Sequence, residues 1–134
     1  MAVRFRLVLI LAVLVPSGFA TKFYEGWGSA WVQAHAGGFL YVVFWCLLAL
    51  VIWPRLSPVV VGVTVFLTTS ILEFLQLWHP PALQTIRSTF LGQALLGSYF
   101  SWSDFPYYAA GAIVAVGIGQ LAKGDGVPHR RAAA

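Results

Sequence analysis

The chain has 134 residues, of which 60% are hydrophobic and only 9% are charged, and its mean hydropathy is +0.83. Soluble domains average roughly 45–50% apolar and roughly 25% charged residues, so this composition excludes an ordinary water-soluble domain. The net charge of +4 comes from cations at the ends of apolar runs without a basic stripe, which excludes a nucleic-acid surface. We therefore predict a single membrane domain over residues 1–134.

Four apolar runs predict four membrane-spanning helices, at about residues 5–22, 36–53, 58–78 and 105–122. A helical span needs roughly 20 predominantly apolar residues, and these runs meet that length once their flanks are included. Membrane strands would alternate in polarity, whereas LVLILAVLV and FLYVVFWCLLALVIW do not. The predicted fold class is all-α, an integral membrane bundle of four helices followed by a cytoplasmic tail over 123–134.

The first apolar run has two interpretations. Two arginines, a short apolar core and small residues near Ala20 also describe a secretory signal peptide that is cleaved. Phe19, Phe23 and Tyr24 extend the apolar run beyond such a core, and cleavage would leave the second helix without a partner. We therefore interpret the segment as the first helix of the bundle and keep cleavage as the alternative.

The lysines and arginines predict the orientation, because cytoplasmic loops of membrane proteins carry an excess of them. With the N-terminus inside, six cations lie in the cytoplasm, namely Arg4, Arg6, Arg55, Lys123, Arg130 and Arg131. Only Lys22 and Arg87 lie outside. This bias predicts that both termini are cytoplasmic and that the outer loops cover 21–36 and 79–104.

The first outer loop carries Tyr24, Trp27 and Trp31, whose amphipathic rings suit the headgroup level of a bilayer. We predict that Glu25 and His35 in the same loop are solvated. Cys46, the only cysteine, is predicted to pack inside the second helix, since it has no partner for an internal disulfide.

The third helix carries a stripe of small and polar residues. Gly62, Phe66, Thr69, Glu73 and Gln76 are spaced 4, 3, 4 and 3 residues apart, which places them on one face. Glu73 lies five residues before Trp78, roughly 7 Å below the predicted outer end of the helix. A carboxylate at that depth is costly unless it is neutral, hydrated or paired, so Glu73 marks a candidate site.

The segment 82–100 has apolar residues at helical intervals, which predicts an interfacial or re-entrant helix after Pro80 and Pro81. It carries Arg87, which we expect to pair with Glu73, because such charges at about 4 Å attract by roughly 4 kcal/mol at an effective dielectric of 20. This pair either serves a ligand or only clamps the loop to the bundle. The expected polar pocket around it consists of Glu73, Gln76, Arg87, Gln93 and Asp104.

Two further features have structural interpretations. Asp104 lies two residues before Pro106, which also suits the N-cap of the fourth helix. Small residues recur at intervals of four along that helix, and this pattern allows close helix packing. These positions are Gly111, Ala115 and Gly119. Gly62 of the third helix is a further predicted packing position. No metal or cofactor is predicted, because the chain has neither an H-E-x-x-H motif nor paired cysteines.

Two long runs carry a family resemblance. LEFLQLWHPPALQTIRSTFLGQALLGSYFSWSDFPYYAAG and GWGSAWVQAHAGGFLYVVFW resemble the two motif blocks of domain of unknown function 2809, over about residues 18–119. The resemblance implies a bacterial inner-membrane protein of uncharacterised activity. Glu-x-x-Gln followed by arginine and spaced glycines is also similar to VanZ-like membrane proteins, which implies a role in the cell envelope. The chain lacks the Asp-x-x-x-Asn element of VanZ-like proteins after Arg87.

The leading functional hypothesis is a non-enzymatic cell-envelope accessory protein that binds a lipid-linked or small polar ligand in an outward-facing pocket. Arg87 would meet an anionic group of the ligand, and Glu73 and Gln76 would orient it. The alternatives are an intramembrane enzyme acting on a lipid head group, with Glu73 or Asp104 as general base, and a small transport subunit. The bilayer is the expected partner, and a homo-oligomer remains open.

Overall fold

The computed structural model describes residues 2–96 and 100–124, and every regular element within those ranges is helical. We number the helices in chain order: α1 Ala2–Ala20, α2 Ser29–Ile52, α3 Pro58–Leu75, α4 Pro81–Arg87, α5 Phe90–Leu96 and α6 Asp104–Gly124. The four long helices, α1, α2, α3 and α6, are long and apolar enough to cross a membrane. The predicted all-α membrane fold is confirmed, with shorter helices between its third and fourth long helices.

Helix α2 extends further towards the N-terminus than expected, since it begins at Ser29 rather than near residue 36. It starts after Gly28, whose φ of 70° is accessible mainly to glycine, and it contains a π-helical turn at Val32–Ala36. The residues expected in the second half of the first outer loop are therefore helical.

Helix α3 ends at Leu75, earlier than the expected 78, because the chain tightens there into successive turns that continue to Trp78. The segment expected as one helix over 82–100 forms two short helices in its described part. The break between them is at Thr89, whose hydroxyl accepts a hydrogen bond from the Gly92 N–H at 3.0 Å and so caps the start of α5. Polar side chains thus interrupt the segment before it forms a span.

Helices α2 and α6 pack against each other at the centre of the bundle, and α1 and α3 flank them. The buried core is mainly aliphatic, and α2 contributes most of it through Val42, Val43, Cys46, Leu47 and Leu50. Helix α1 buries only Leu7 and Leu11, so most of its surface faces outward, which is compatible with a lipid environment. Cys46 is buried in the part of the core that α2 contributes and is a free cysteine.

Small residues bring the long helices close together. A Cβ atom on Gly111 would lie 2.6 Å from the Phe39 carbonyl oxygen, so α6 approaches the backbone of α2 at this point. A Cβ on Gly119 would lie 2.8 Å from Leu50, and one on Gly62 would lie 2.5 Å from Val116. Ala115, between Gly111 and Gly119 of α6, is 1% exposed. These contacts fix how closely α6 packs against α2 and α3.

The bundle has two chemically different ends. At the basic end, the start of α1 lies near the α2–α3 turn with Arg55, and Lys123 of α6 donates a hydrogen bond to the carbonyl oxygen of Leu56. At the opposite end, which we call the polar end, α4 and α5 follow the C-terminus of α3 and Asp104 begins α6. The candidate site lies at the polar end.

Candidate functional site

Glu73, in the last turn of α3, is the centre of the site and is only 1% exposed. Its Oε1 atom accepts a hydrogen bond from the backbone N–H of Ser101 at 2.8 Å. Its Oε2 atom accepts one from the Tyr108 hydroxyl at 2.7 Å and a longer one from the Gln76 amide at 3.3 Å. Three neutral donors from three parts of the chain therefore hold this buried carboxyl group.

Gln76 adds an unused acceptor beside Glu73. Its Nε2 atom also donates to the Leu96 carbonyl oxygen at 2.9 Å, so both neighbours of that nitrogen are acceptors. Exchanging the amide oxygen and nitrogen would place oxygen against oxygen, so the hydrogen-bond network determines the orientation of the amide. The Oε1 atom is buried and finds no donor in the described part of the chain, while the residue is 6% exposed.

Asp104 and His35 extend the site beyond Glu73. The Asp104 carboxyl group lies close enough to that of Glu73 to interact with it. Its Oδ1 atom is 3.6 Å from the His35 Nδ1 atom, which is too long for a good hydrogen bond. The His35 Nδ1 atom is buried and, within residues 2–96 and 100–124, has no hydrogen-bond partner.

The π-helical turn positions His35. Its ring stacks on that of Tyr107 with centroids 4.5 Å apart, and the Tyr107 hydroxyl accepts a hydrogen bond from the Trp31 indole at 2.9 Å. The expected solvated position of His35 is wrong, because α2 reaches back to Ser29 and carries the ring against α6. His35 is half-buried and belongs to the site.

Arg87 does not form the expected ion pair with Glu73. Its Nη1 and Nη2 atoms donate to the carbonyl oxygens of Trp78 and Leu75, each at 2.9 Å, and the residue is buried. The last carbonyl groups of a helix have no partner within the helix and form the negative end of its dipole. After the Pro80 turn, Arg87 therefore reaches the end of α3 and not the face that carries Glu73. Its Nε atom has no partner among the residues described.

Of the five residues expected around one pocket, three lie together, namely Glu73, Gln76 and Asp104. Gln93 lies on α5 with an exposed side chain, and Arg87 caps α3. We use the name polar cluster for His35, Glu73, Gln76, Asp104 and Tyr108. Within the described ranges, no group of three His, Cys, Asp or Glu side chains is placed to hold a metal ion.

Tyr108 was not among the residues singled out from the sequence. It follows Asp104 by four residues, so the two side chains share a face of α6, and that spacing was the available signal. The missing information was which face of α6 meets Glu73. Packing decides which face that is, because the Tyr108 ring lies against Gly38 of α2. A Cβ atom on Gly38 would be only 2.9 Å from the Tyr108 ring.

Aromatic rings pack beside the polar cluster. Phe74, Phe100, Trp102 and Phe105 lie with centroids 5.0 to 6.1 Å apart, on both sides of Ser101 in the chain. Trp102 is 69% exposed, whereas Glu73 behind this group is almost completely buried. These rings therefore shield the carboxyl group on one side, and hydrogen bonds within an apolar setting are stronger than in water.

The chemistry of the polar cluster is that of an acceptor-rich site. It contains two carboxyl groups, together with an amide oxygen and an imidazole nitrogen that have no hydrogen-bond partner in the described ranges, and the guanidinium of Arg87 is engaged elsewhere. Such a set is suited to bind hydroxyl or ammonium groups, which are donors, and it is not suited to bind an anion.

A family model described as "Protein of unknown function (DUF2809)" matches residues 27–112, more than half of the chain. The matched range includes all five residues of the polar cluster. No solved structure matches the chain.

Proposed function

Because the chain belongs to DUF2809, a family of proteins of unknown function, we propose that it binds a lipid-linked or small polar ligand through its polar cluster. The protein is an accessory membrane protein of the bacterial cell envelope in this proposal. The accumulation of Arg4, Arg55 and Lys123 at the basic end supports an inner-membrane orientation with both termini in the cytoplasm. The polar cluster then lies at the outer surface.

The observation that carries the proposal is the buried Gln76 oxygen, which finds no donor within residues 2–96 and 100–124. Leaving a buried acceptor unsatisfied costs roughly 1–3 kcal/mol, and native proteins usually avoid that cost. Here the atom lies on the residue that contacts Glu73, and the His35 nitrogen near Asp104 also has no hydrogen-bond partner among the residues that the structure describes. A ligand that supplies donors would satisfy atoms that the described chain leaves unsatisfied.

The ligand class differs from the one expected from the sequence. An anionic group was expected to meet Arg87, but both terminal nitrogens of that guanidinium are used by α3 carbonyl groups. Carboxyl groups accept hydrogen bonds from hydroxyl and ammonium groups. The proposal therefore favours a head group that carries sugar hydroxyls or an amine.

The test is the identity of lipids that remain bound during purification. Wild-type protein and the Glu73→Gln variant are purified in the same detergent, and their bound lipids are extracted and quantified by mass spectrometry. We expect a hydroxyl- or amine-bearing lipid at higher stoichiometry in the wild type. Glu25→Gln is the matched control, since Glu25 is an exposed acid at the same end.

Gln76→Leu removes the unsatisfied oxygen without changing the charge, and circular dichroism verifies that each variant is folded. The expected order of bound lipid is wild type and Glu25→Gln first, with Gln76→Leu and Glu73→Gln clearly lower. Equal lipid content in all four folded proteins would contradict the proposal.

A second candidate function is an intramembrane enzyme acting on a lipid head group. The 3.6 Å approach of His35 to Asp104, with Glu73 beside them, is the observation that favours it, because acid and base groups within reach of each other suit proton transfer. The test incubates wild type and Asp104→Asn with vesicles of phosphatidylethanolamine and phosphatidylglycerol. Release of head groups by the wild type alone would support this function, and no release by either would exclude it for these lipids.

A further inference from the structure

A cleft of about 370 Å³ lies at the basic end, on the opposite side of the bundle from the polar cluster. It is lined by Arg4 from the first turns of α1 and by the chain segment that leaves α2, consisting of Ile52, Trp53, Pro54, Arg55 and Leu56. Its volume falls within the range of roughly 300–1,000 Å³ that is typical of small-molecule sites. Two helices that are distant in sequence therefore form one concave surface.

Two guanidinium groups line this cleft, and no acidic side chain of the described residues neutralises them. Arg4 and Arg55 are exposed, and neither has a hydrogen bond or an ion pair in the part of the chain that the structure describes. Their positive charges repel each other, so an anion between them would lower the electrostatic energy. A guanidinium presents paired N–H donors whose geometry matches a phosphate group.

The remaining walls of the cleft are apolar. Trp53 is 58% exposed and Leu56 is 41% exposed, and both stand beside the arginines at the end of a membrane-spanning helix. Tryptophan side chains favour the headgroup level of a bilayer, where one side of the ring contacts hydrocarbon and the other contacts water. A free phosphate ion would use the arginines and leave these apolar side chains uncovered.

We propose that this cleft binds the phosphodiester head group of an anionic phospholipid. Arg4 and Arg55 bind the phosphate oxygens, and Trp53 and Leu56 contact the glycerol backbone and the first acyl carbons. Basic pockets between membrane helices are suited to such head groups, since the charge and the apolar surface occur at the same depth. The proposal is independent of the polar cluster, because the two sites lie at opposite ends of the bundle.

Native mass spectrometry of the full-length protein tests this site. The protein is titrated in detergent with phosphatidylglycerol and, separately, with phosphatidylcholine that has identical acyl chains. We expect preferential retention of phosphatidylglycerol. Arg4→Gln and Arg55→Gln should each lower its affinity about fivefold, the effect expected of one arginine at a membrane surface. The double variant should bind both lipids equally.

Arg6→Gln is the matched control, because Arg6 lies in the same turn of α1 but does not line the cleft. Its preference for phosphatidylglycerol should match that of the wild type. An unchanged preference in the double variant, or an equal loss in Arg6→Gln, would overturn the proposal. Inorganic phosphate in excess should leave lipid retention unchanged, and displacement of the lipid would assign the cleft to free phosphate instead.

Discussion

Arg87 donates a hydrogen bond from Nη2 to the carbonyl oxygen of Leu75, the last residue of α3, at 2.9 Å. Together with the bond from Nη1 to Trp78, this contact attaches α4 to the end of the third span. The Arg87 guanidinium donates hydrogen bonds to carbonyl groups at the end of α3. Glu73, two residues before Leu75, instead accepts hydrogen bonds from neutral donors. The two central charges of the chain therefore have separate structural roles.

Replacing Arg87 with alanine should destabilise the protein. The substitution removes two part-buried hydrogen bonds from a charged donor to carbonyl groups, and each such bond contributes roughly 1.5–3 kcal/mol. We expect the free energy of unfolding in mixed micelles, followed by tryptophan fluorescence, to fall by about 2–4 kcal/mol. Lys22→Ala, at an exposed cation of the same end, should change it by less than about 0.5 kcal/mol.

A double-mutant cycle distinguishes a helix cap from the ion pair that the sequence suggested. Glu73 and Arg87 share no hydrogen-bond partner in the described part of the chain, so the effects of Glu73→Gln and Arg87→Ala on the free energy of unfolding should be additive within about 0.5 kcal/mol. The measurement uses the two single variants and the double variant under identical conditions. A coupling of about 2 kcal/mol would show that the charges interact and that Arg87 is not only a cap.

The Tyr108 hydroxyl should contribute more stability than the hydroxyl of its neighbour in sequence. Tyr108→Phe leaves the buried Oε2 atom of Glu73 without its short hydrogen bond, at an expected cost of about 1–3 kcal/mol. Tyr107→Phe removes only the exposed bond from Trp31 and should cost less than about 1 kcal/mol. The free energies of unfolding of the two variants, compared in one detergent, give the difference directly. Equal losses would mean that burial of the Glu73 contact has no energetic effect.

The glycines of α6 should respond differently to an added methyl group. In Gly111→Ala the new Cβ would lie 2.6 Å from the Phe39 carbonyl oxygen, so α6 must move away from α2. Overpacking of this kind costs roughly 1–3 kcal/mol. Gly117→Ala meets no atom within 4 Å and should be neutral or more stable by up to about 1 kcal/mol, since alanine favours the helix. Thermal unfolding of the two variants measures the contrast.

The long apolar runs predict the fold well because membrane spans depend on local composition. LVLILAVLV and the other runs identify all four long helices, and each helix contains most of the apolar stretch that indicated it. The helix ends are less predictable. The extension of α2 to Ser29 depends on the left-handed conformation of Gly28 and on packing against α6, neither of which hydropathy detects.

The site was only partly predictable for a similar reason. The stripe on α3 correctly places Glu73 and Gln76 side by side, because their spacing of three residues is a local property of a helix. The partner of Arg87 depends on the direction in which α4 leaves the turn at Pro80 and Pro81, and residue spacing carries no information about that direction. His35 joins the site through a π-helical turn that the sequence did not indicate.

That turn sets the rotational phase between the two parts of α2. After the turn, Val42, Cys46 and Leu50 face into the bundle, while Trp31 before it and His35 within it face Tyr107. A π turn accommodates one more residue than an ordinary helical turn, and each residue of an α-helix corresponds to about 100° of rotation. Loss of a single residue from Val32–Ala36 would therefore turn Trp31 away from Tyr107 without disturbing the apolar core below it.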